Sequence, residues 1–246
     1  ALAGDAEKFR VTMYNPDLLR RTHAAGRHQY LIAREVIEAD AVIMHEIWDG
    51  PRRTNGERLW YSFRPGGLFW NAQGSPATAF YFAPESSKLL VFPFYAKWVA
   101  QDAARDFLDI TKAEFEVLFD KSVTLFAKSA GDSIDLQPFS RNGGKLLIDH
   151  GTDDPLIPVE GSIDYHDRLC QASGGREAVR EFCRFYLNPG DGHASCSWHG
   201  AGLTESVGMR ALIDWVEQGR MPGKLHGVQT DPVTGEIIRE AELDPV

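Results

Sequence analysis

Two hydrophobic segments constrain this chain most, because each runs into a polar loop carrying one member of an acid–base pair. Lys145-Leu-Leu-Ile-Asp-His-Gly-Thr-Asp-Asp-Pro-Leu-Ile-Pro158 reads as a buried strand entering a loop that holds an acid. Phe182-Cys-Arg-Phe-Tyr-Leu-Asn-Pro-Gly-Asp-Gly-His193 reads as a second strand entering a loop that ends at a histidine. A helix is predicted between them, over about Ser162 to Gln171. Another follows with Met209, Leu212, Ile213 and Val216 on one face, Gly219 at its end and Pro222 beyond. This is α/β alternation, in which chemistry gathers beyond the carboxyl ends of the strands. Two or three strands do not make a stable parallel sheet. The remainder is expected from outside this chain or from its less legible first half.

That first half shows no strand–helix alternation. Tyr30 to Trp48 predicts a helix on Leu31, Ile32, Val36, Ile37, Ile43, Met44 and Ile47, stopped by Asp49-Gly-Pro51. Pro51 to Glu85 is rich in Gly, Pro and aromatics, among them Trp60, Tyr61, Phe63, Phe69, Trp70 and Phe82, and reads as irregular. Leu89 to Phe94 reads as a short strand. Thr111-Lys-Ala-Glu114 is a capping-box pattern, followed at helical spacing by Phe115, Leu118, Phe119 and Phe126. Composition changes near Asp135-Leu-Gln-Pro138. Residues 1–135 are therefore read as a helical and irregular cap and 136–246 as the α/β part, ending in a turn and surface strand after Val228.

An acid–base relay needs a carboxylate that holds an imidazole in one tautomer and stabilises its protonated form. Asp154 suits this role, since it follows a buried strand and Pro155 stiffens its exit; Asp153 is the neighbour most easily confused with it. His193 follows Gly190-Asp-Gly192, a turn that can project a side chain into a cleft. The alternatives are a turn-capping aspartate and a surface histidine. No nucleophile stands upstream in a recognisable setting: Gly-x-Ser-x-Gly is absent from the sequence, and Ser129 and Ser133 have no elbow glycines. Cys196-Ser-Trp-His-Gly200 comes after both acid and histidine, so it reads as a loop. His150, Asp153, Asp154, His166, Asp191, His193 and His199 are close in sequence but match no metal-ligand spacing. No metal and no cofactor are expected.

The net charge of −9 and pI near 5.4 argue against nucleic acid or an anionic membrane as partner, and no apolar run approaches a membrane span. Ala1-Leu-Ala-Gly-Asp has neither an initiator Met nor a signal peptide, which leads to the expectation of a processed, trimmed or truncated chain. Three cysteines leave two readings open. In one all are reduced thiols of a cytosolic protein; in the other Cys170 pairs with Cys183 while Cys196 seeks a partner elsewhere.

Taken together, these segments resemble the tannase and feruloyl esterase family of secreted α/β-hydrolases. Trp48-Asp-Gly-Pro-Arg-Arg-Thr-Asn-Gly-Glu-Arg58 is similar to its lid segment, and Asp135 to Lys145 followed by His150-Gly-Thr-Asp-Asp-Pro-Leu-Ile-Pro158 to its acid-bearing stretch. Asp164-Tyr165, Asn188-Pro-Gly-Asp-Gly-His193 and Ala211 to Gly219 resemble its tyrosine-containing helix, histidine loop and final helix. The resemblance implies the C-terminal part of an α/β-hydrolase core preceded by a mostly helical and irregular lid. It also implies a serine esterase acting on esters of aromatic acids, secreted or periplasmic, with Asp154 as triad acid and His193 as general base.

The family joins the cysteine beside its nucleophile to one immediately after the histidine. Here that position is Ala194 and the nearest cysteine is Cys196, which would make a shifted bond or none. The family's nucleophile, oxyanion donors and much of its sheet precede the lid, so the resemblance implies a missing N-terminal half or subunit as partner. The alternative is a non-catalytic lid or scaffold fragment that acts by association.

Overall fold

A computed structural model describes residues 10–11, 34–35, 45–46, 48–64, 91–105, 110–154, 156–193, 200–231 and 233–246. The chain opens with the antiparallel pair β1 (Arg10–Val11) and β2 (Arg34–Glu35). β2 falls inside the helix expected from Tyr30 to Trp48, and among the described residues of that span helix begins at residue 45. Pairing of Arg34 and Glu35 with β1 overrides the helical spacing there.

α1 (Val91–Ala100) replaces the short strand expected at Leu89 to Phe94. Short apolar runs do not distinguish the two states. Pro93 is tolerated because it lies in the first turn, where amides have no partner within the helix. α2 (Lys112–Phe126) starts at the capping box read from the sequence. Thr111 Oγ1 accepts from the Glu114 amide at 3.2 Å, and the Thr111 amide donates to Glu114 Oε2 at 2.9 Å. α2 has no buried residue. Residues 48–64 lie along it through Arg53, which donates to both carboxylate oxygens of Asp120 at 2.6 and 2.9 Å, and through Trp60, edge-on to Phe119 at 5.9 Å.

Beyond the short α3 (Gln137–Arg141) the predicted alternation appears as β3 (Leu146–Gly151), α4 (Val159–Ala172), β4 (Cys183–Asn188) and α6 (Glu205–Gln218), with a further short helix, α5 (Arg176–Arg180), not among those predicted. β3 and β4 pair in parallel, from Leu146 opposite Cys183 to Gly151 opposite Asn188. Alternation sends successive side chains to opposite faces. One face of the pair packs Leu146, Ile148 and Cys183 against Leu169, Cys170, Val179 and Phe182 of the α4–α5 layer. The other packs Leu147 and Tyr186 against Val207 of α6, Leu203 and the final hairpin.

That hairpin, β5 (Leu225–Thr230) and β6 (Ile237–Leu243), is the turn and surface strand expected after Val228. It is tied down by Leu243, by the bridge from Gly202 to Val228 and by the Val246 amide, which donates to the Phe185 carbonyl at 2.8 Å. α6 ends as predicted, with Gly219 left-handed at φ 67°. Its buried residue is Trp215, however, and Met209, Ile213 and Val216 of the expected apolar face are exposed.

Cys170 and Cys183 lie in one core cluster with both thiols free, so the bond that would join them is not formed. Burial among Leu169, Val179 and Phe182 pushes the Cys183 thiol up to about 12, leaving it a neutral apolar packing group. Cys196 lies outside the described residues.

Candidate active site

β3 and β4 end side by side, so their loops emerge together. The Thr152 amide donates to the Asn188 carbonyl at 3.0 Å, carrying the parallel ladder one residue beyond the strands. The Asp153 amide donates to the Asp191 carbonyl at 3.0 Å, and Thr152 Oγ1 accepts from the Gly190 amide at 2.8 Å. Fully buried Asn188 donates to Asp149 Oδ2 at 2.9 Å and accepts from the Leu203 amide at 3.2 Å. Gly151 is required at this junction: a Cβ there would stand 2.3 Å from the Gly192 carbonyl oxygen and 2.4 Å from that of Asp191. Backbone from the second loop therefore occupies the volume a side chain would need.

This stitching brings Asp154 and His193 together. His193 Nδ1 lies 2.9 Å from Asp154 Oδ2. A carboxylate only accepts, so Nδ1 carries the proton and a neutral ring presents Nε2 as its base. The Asp154 side chain is 4% exposed and that of His193 46%, so the acid is enclosed and the imidazole is reachable. Asp154 Oδ1 is held by its own loop, accepting from the amides of Leu156 at 2.7 Å and Ile157 at 3.0 Å. Burial pushes the Asp154 carboxyl up, but the donors from His150, Ile157, Leu156 and His193 outweigh it, and its pKa lies below the ordinary value of 3.8.

Asp153, the neighbouring candidate, instead accepts from the Thr152 hydroxyl at 3.0 Å. Of the other His and Asp residues close in sequence, His166 packs against Phe185 and His150 belongs to the surroundings of Asp154, with its Nε2 3.4 Å from Oδ2. Among the described residues no group of three or more His, Cys, Asp or Glu side chains is arranged to hold a metal ion.

The residue types along the two loops identify Asp154 and His193 in sequence, whereas Asn188, Thr152 and Gly151 become visible only when the loops meet. Trp60, Tyr61, Phe119, Phe126, Ile157 and Tyr165 line a cavity of about 830 Å³ beside the acid loop. Trp60 and Tyr61 belong to the aromatic segment singled out in sequence; Phe69 to Phe82 lie outside the described residues.

The tannase and feruloyl esterase family profile matches residues 22–241, almost the whole chain. The chain belongs to the tannase and feruloyl esterase family. A probable feruloyl esterase from Arthroderma benhamiae is 31% identical to it over 204 residues, covering 78% of this chain and 36% of that protein. A tannase from Aspergillus oryzae is 27% identical over 212 residues, covering 79% and 35%. This member of the family thus spans little more than a third of the length of these curated relatives.

The crystal structure of feruloyl esterase B from Aspergillus oryzae matches 95% of this chain and 44% of that one, with a TM-score of 0.65 at 17% identity. That likeness establishes the shared fold: the C-terminal part of an α/β-hydrolase core. Among the described residues no helix is long and apolar enough to cross a membrane.

Proposed function

We propose that this chain carries the acid and base of a serine carboxylic ester hydrolase acting on esters of aromatic acids. The single observation behind this reading is the contact between His193 Nδ1 and enclosed Asp154 Oδ2, with the rest of the imidazole open. Residues 1–135 act as the lid and 136–246 as part of the core. A serine on a segment outside this chain, an N-terminal half or subunit, supplies the nucleophile. By its position in the sequence, Cys196 is the candidate for a bond between that segment and the histidine loop, and the protein works in a secreted or periplasmic compartment. The aromatic cavity beside Ile157 accepts the acyl ring.

His193 Nε2 takes the serine proton as the serine oxygen attacks the ester carbonyl, and Asp154 stabilises the imidazolium. The proton then passes from His193 to the alcohol oxygen as its bond to the carbonyl carbon breaks, so the alcohol leaves and the acyl–serine remains. In the second half His193 takes a proton from water, whose oxygen attacks the acyl carbonyl, and returns that proton to the serine.

The test pairs intact mass of the natively purified protein, with and without reductant, with hydrolysis of methyl gallate, methyl ferulate and a p-nitrophenyl ester. A second chain released by reduction, together with ester cleavage that drops by about 10⁴ in Asp154→Asn, is the expected result. A single 27.4 kDa species without cleavage would leave the chain as a non-catalytic lid or scaffold fragment.

A further inference from the structure

His150 is spent on neither core packing nor a metal, and its surroundings give it a specific task. Alternation along β3 puts it on the same face as Ile148, toward α4. There its ring is clamped at both nitrogens: Nδ1 lies 2.7 Å from Ser162 Oγ of α4, and Nε2 lies 3.0 Å from the Ile157 carbonyl oxygen in the acid loop. The same Nε2 stands 3.4 Å from Asp154 Oδ2, and the His150 side chain is 11% exposed. Asp154 thus has a divided carboxylate. Oδ1 is satisfied by two amides of its own loop, while Oδ2 faces two imidazoles, His193 at 2.9 Å and His150 at 3.4 Å.

We propose that His150 is a positioning residue for the acid, holding Asp154 Oδ2 toward His193 and setting how strongly that oxygen draws the His193 proton. The proposal rests on the reading of Asp154 and His193 as the acid–base pair. The Ile157 carbonyl can only accept, so His150 carries its hydrogen on Nε2. In the neutral ring Nδ1 accepts from the Ser162 hydroxyl. In the protonated ring Nδ1 donates to the same oxygen, because a hydroxyl serves in either role. His150 therefore gains a proton without moving.

The groups facing it are Asp154 and the Ile157 carbonyl from the acid loop, Ser162 from α4 and, as a more distant charge, Asp149 from its own strand. Burial lowers the His150 pKa, and these acceptors outweigh that and raise it above the ordinary 6.5. A positive His150 beside Oδ2 weakens the pull of Asp154 on the His193 proton, because both imidazoles face the same carboxylate oxygen.

The experiment follows both imidazoles by proton–nitrogen NMR through a pH titration of this chain, in wild type and in His150→Gln, His150→Phe, Ser162→Ala and Asp154→Asn. Wild type is expected to show His193 as the Nδ1–H tautomer, with its Nδ1 resonance shifting as His150 gains its proton. His150→Gln keeps a donor for the Ile157 carbonyl but removes the charge, so the tautomer should persist and that shift should disappear. His150→Phe, without any donor, should mix the His193 tautomers. Ser162→Ala retains the ring and should lower the His150 midpoint, which keeps the proposal testable if a His150 variant fails to fold.

A His193 tautomer unchanged in folded His150→Phe, a His193 Nδ1 shift that persists in His150→Gln, or a His150 midpoint unmoved in Ser162→Ala, would overturn the proposal. If Asp154→Asn also leaves His193 unchanged, it is the acid–base pair itself that fails.

Discussion

The acid loop and helix α2 are both attached to elements the sequence announces, yet they are held by opposite means. The acid loop leaves a strand pair covered on both faces, and its neighbours include Leu169, Phe185, Tyr186 and Asn188, each at most 1% exposed. Its backbone is bonded to the histidine loop at Thr152 and Asp153, and a side chain on Gly151 has no room. α2 has a good capping box and no buried residue, and residues 48–64 meet it through exposed charges. A hydrogen bond between side chains of two separate loops tolerates little displacement, and the loops that bring Asp154 to His193 leave strands that are densely packed. The segment on α2 is anchored at points, an arrangement compatible with adjustment around a ligand.

The sharpest way to break this contrast is Gly151→Ala. Two carbonyl oxygens less than 2.5 Å from the new Cβ must be displaced, and an expected loss of about 3 kcal/mol should appear in urea unfolding. The His193 tautomer should be lost with it.

A smaller effect separates the regions by pH. The Asp154 pKa is depressed in the folded chain, so its contribution is complete above the ordinary 3.8 and is lost as pH falls through the lower folded value. The His150 pKa is raised, so its contribution is complete below 6.5 and is lost as pH rises through the higher folded value. Stability curves of Asp154→Asn and His150→Gln should differ from wild type in slope at the acid and the neutral-to-alkaline side, respectively. Parallel curves would break the assignment.

The smallest effect is expected from Arg53→Gln. Its pairing with Asp120 is exposed, so the unfolding midpoint should barely move and any change should vanish at high salt. A large, salt-insensitive loss would mean that α2 is held as firmly as the core.

Much of the architecture was legible because local chemistry agreed with the final fold. Thr111 and Glu114 make the capping box they spell, Gly219 ends α6 in the left-handed conformation, and two hydrophobic runs become the parallel strands β3 and β4. The misreadings occur where a pattern fits two states or two partners. Leu89 to Phe94 is too short to separate strand from helix, and α1 forms there. Cys170 and Cys183 come close because both are buried apolar groups, and proximity in a core does not oblige them to bond. The apolar pattern of α6 was visible, but the face turned to the sheet carries Trp215 and leaves Met209, Ile213 and Val216 outside.

By itself the sequence determined the alternation of β3 to α6, the family and the presence of an acid and a histidine beyond two strand ends, because hydrophobic period and loop chemistry are local properties. Tertiary structure alone decided how far apart Asp154 and His193 stand, that Asn188 and Thr152 stitch the loops, and that His150 stands at the second side of the acid. The physical reason is register. Pairing Gly151 with Asn188 sets which side chains of two distant loops come within hydrogen-bond distance, and that pairing depends on contacts no single segment contains.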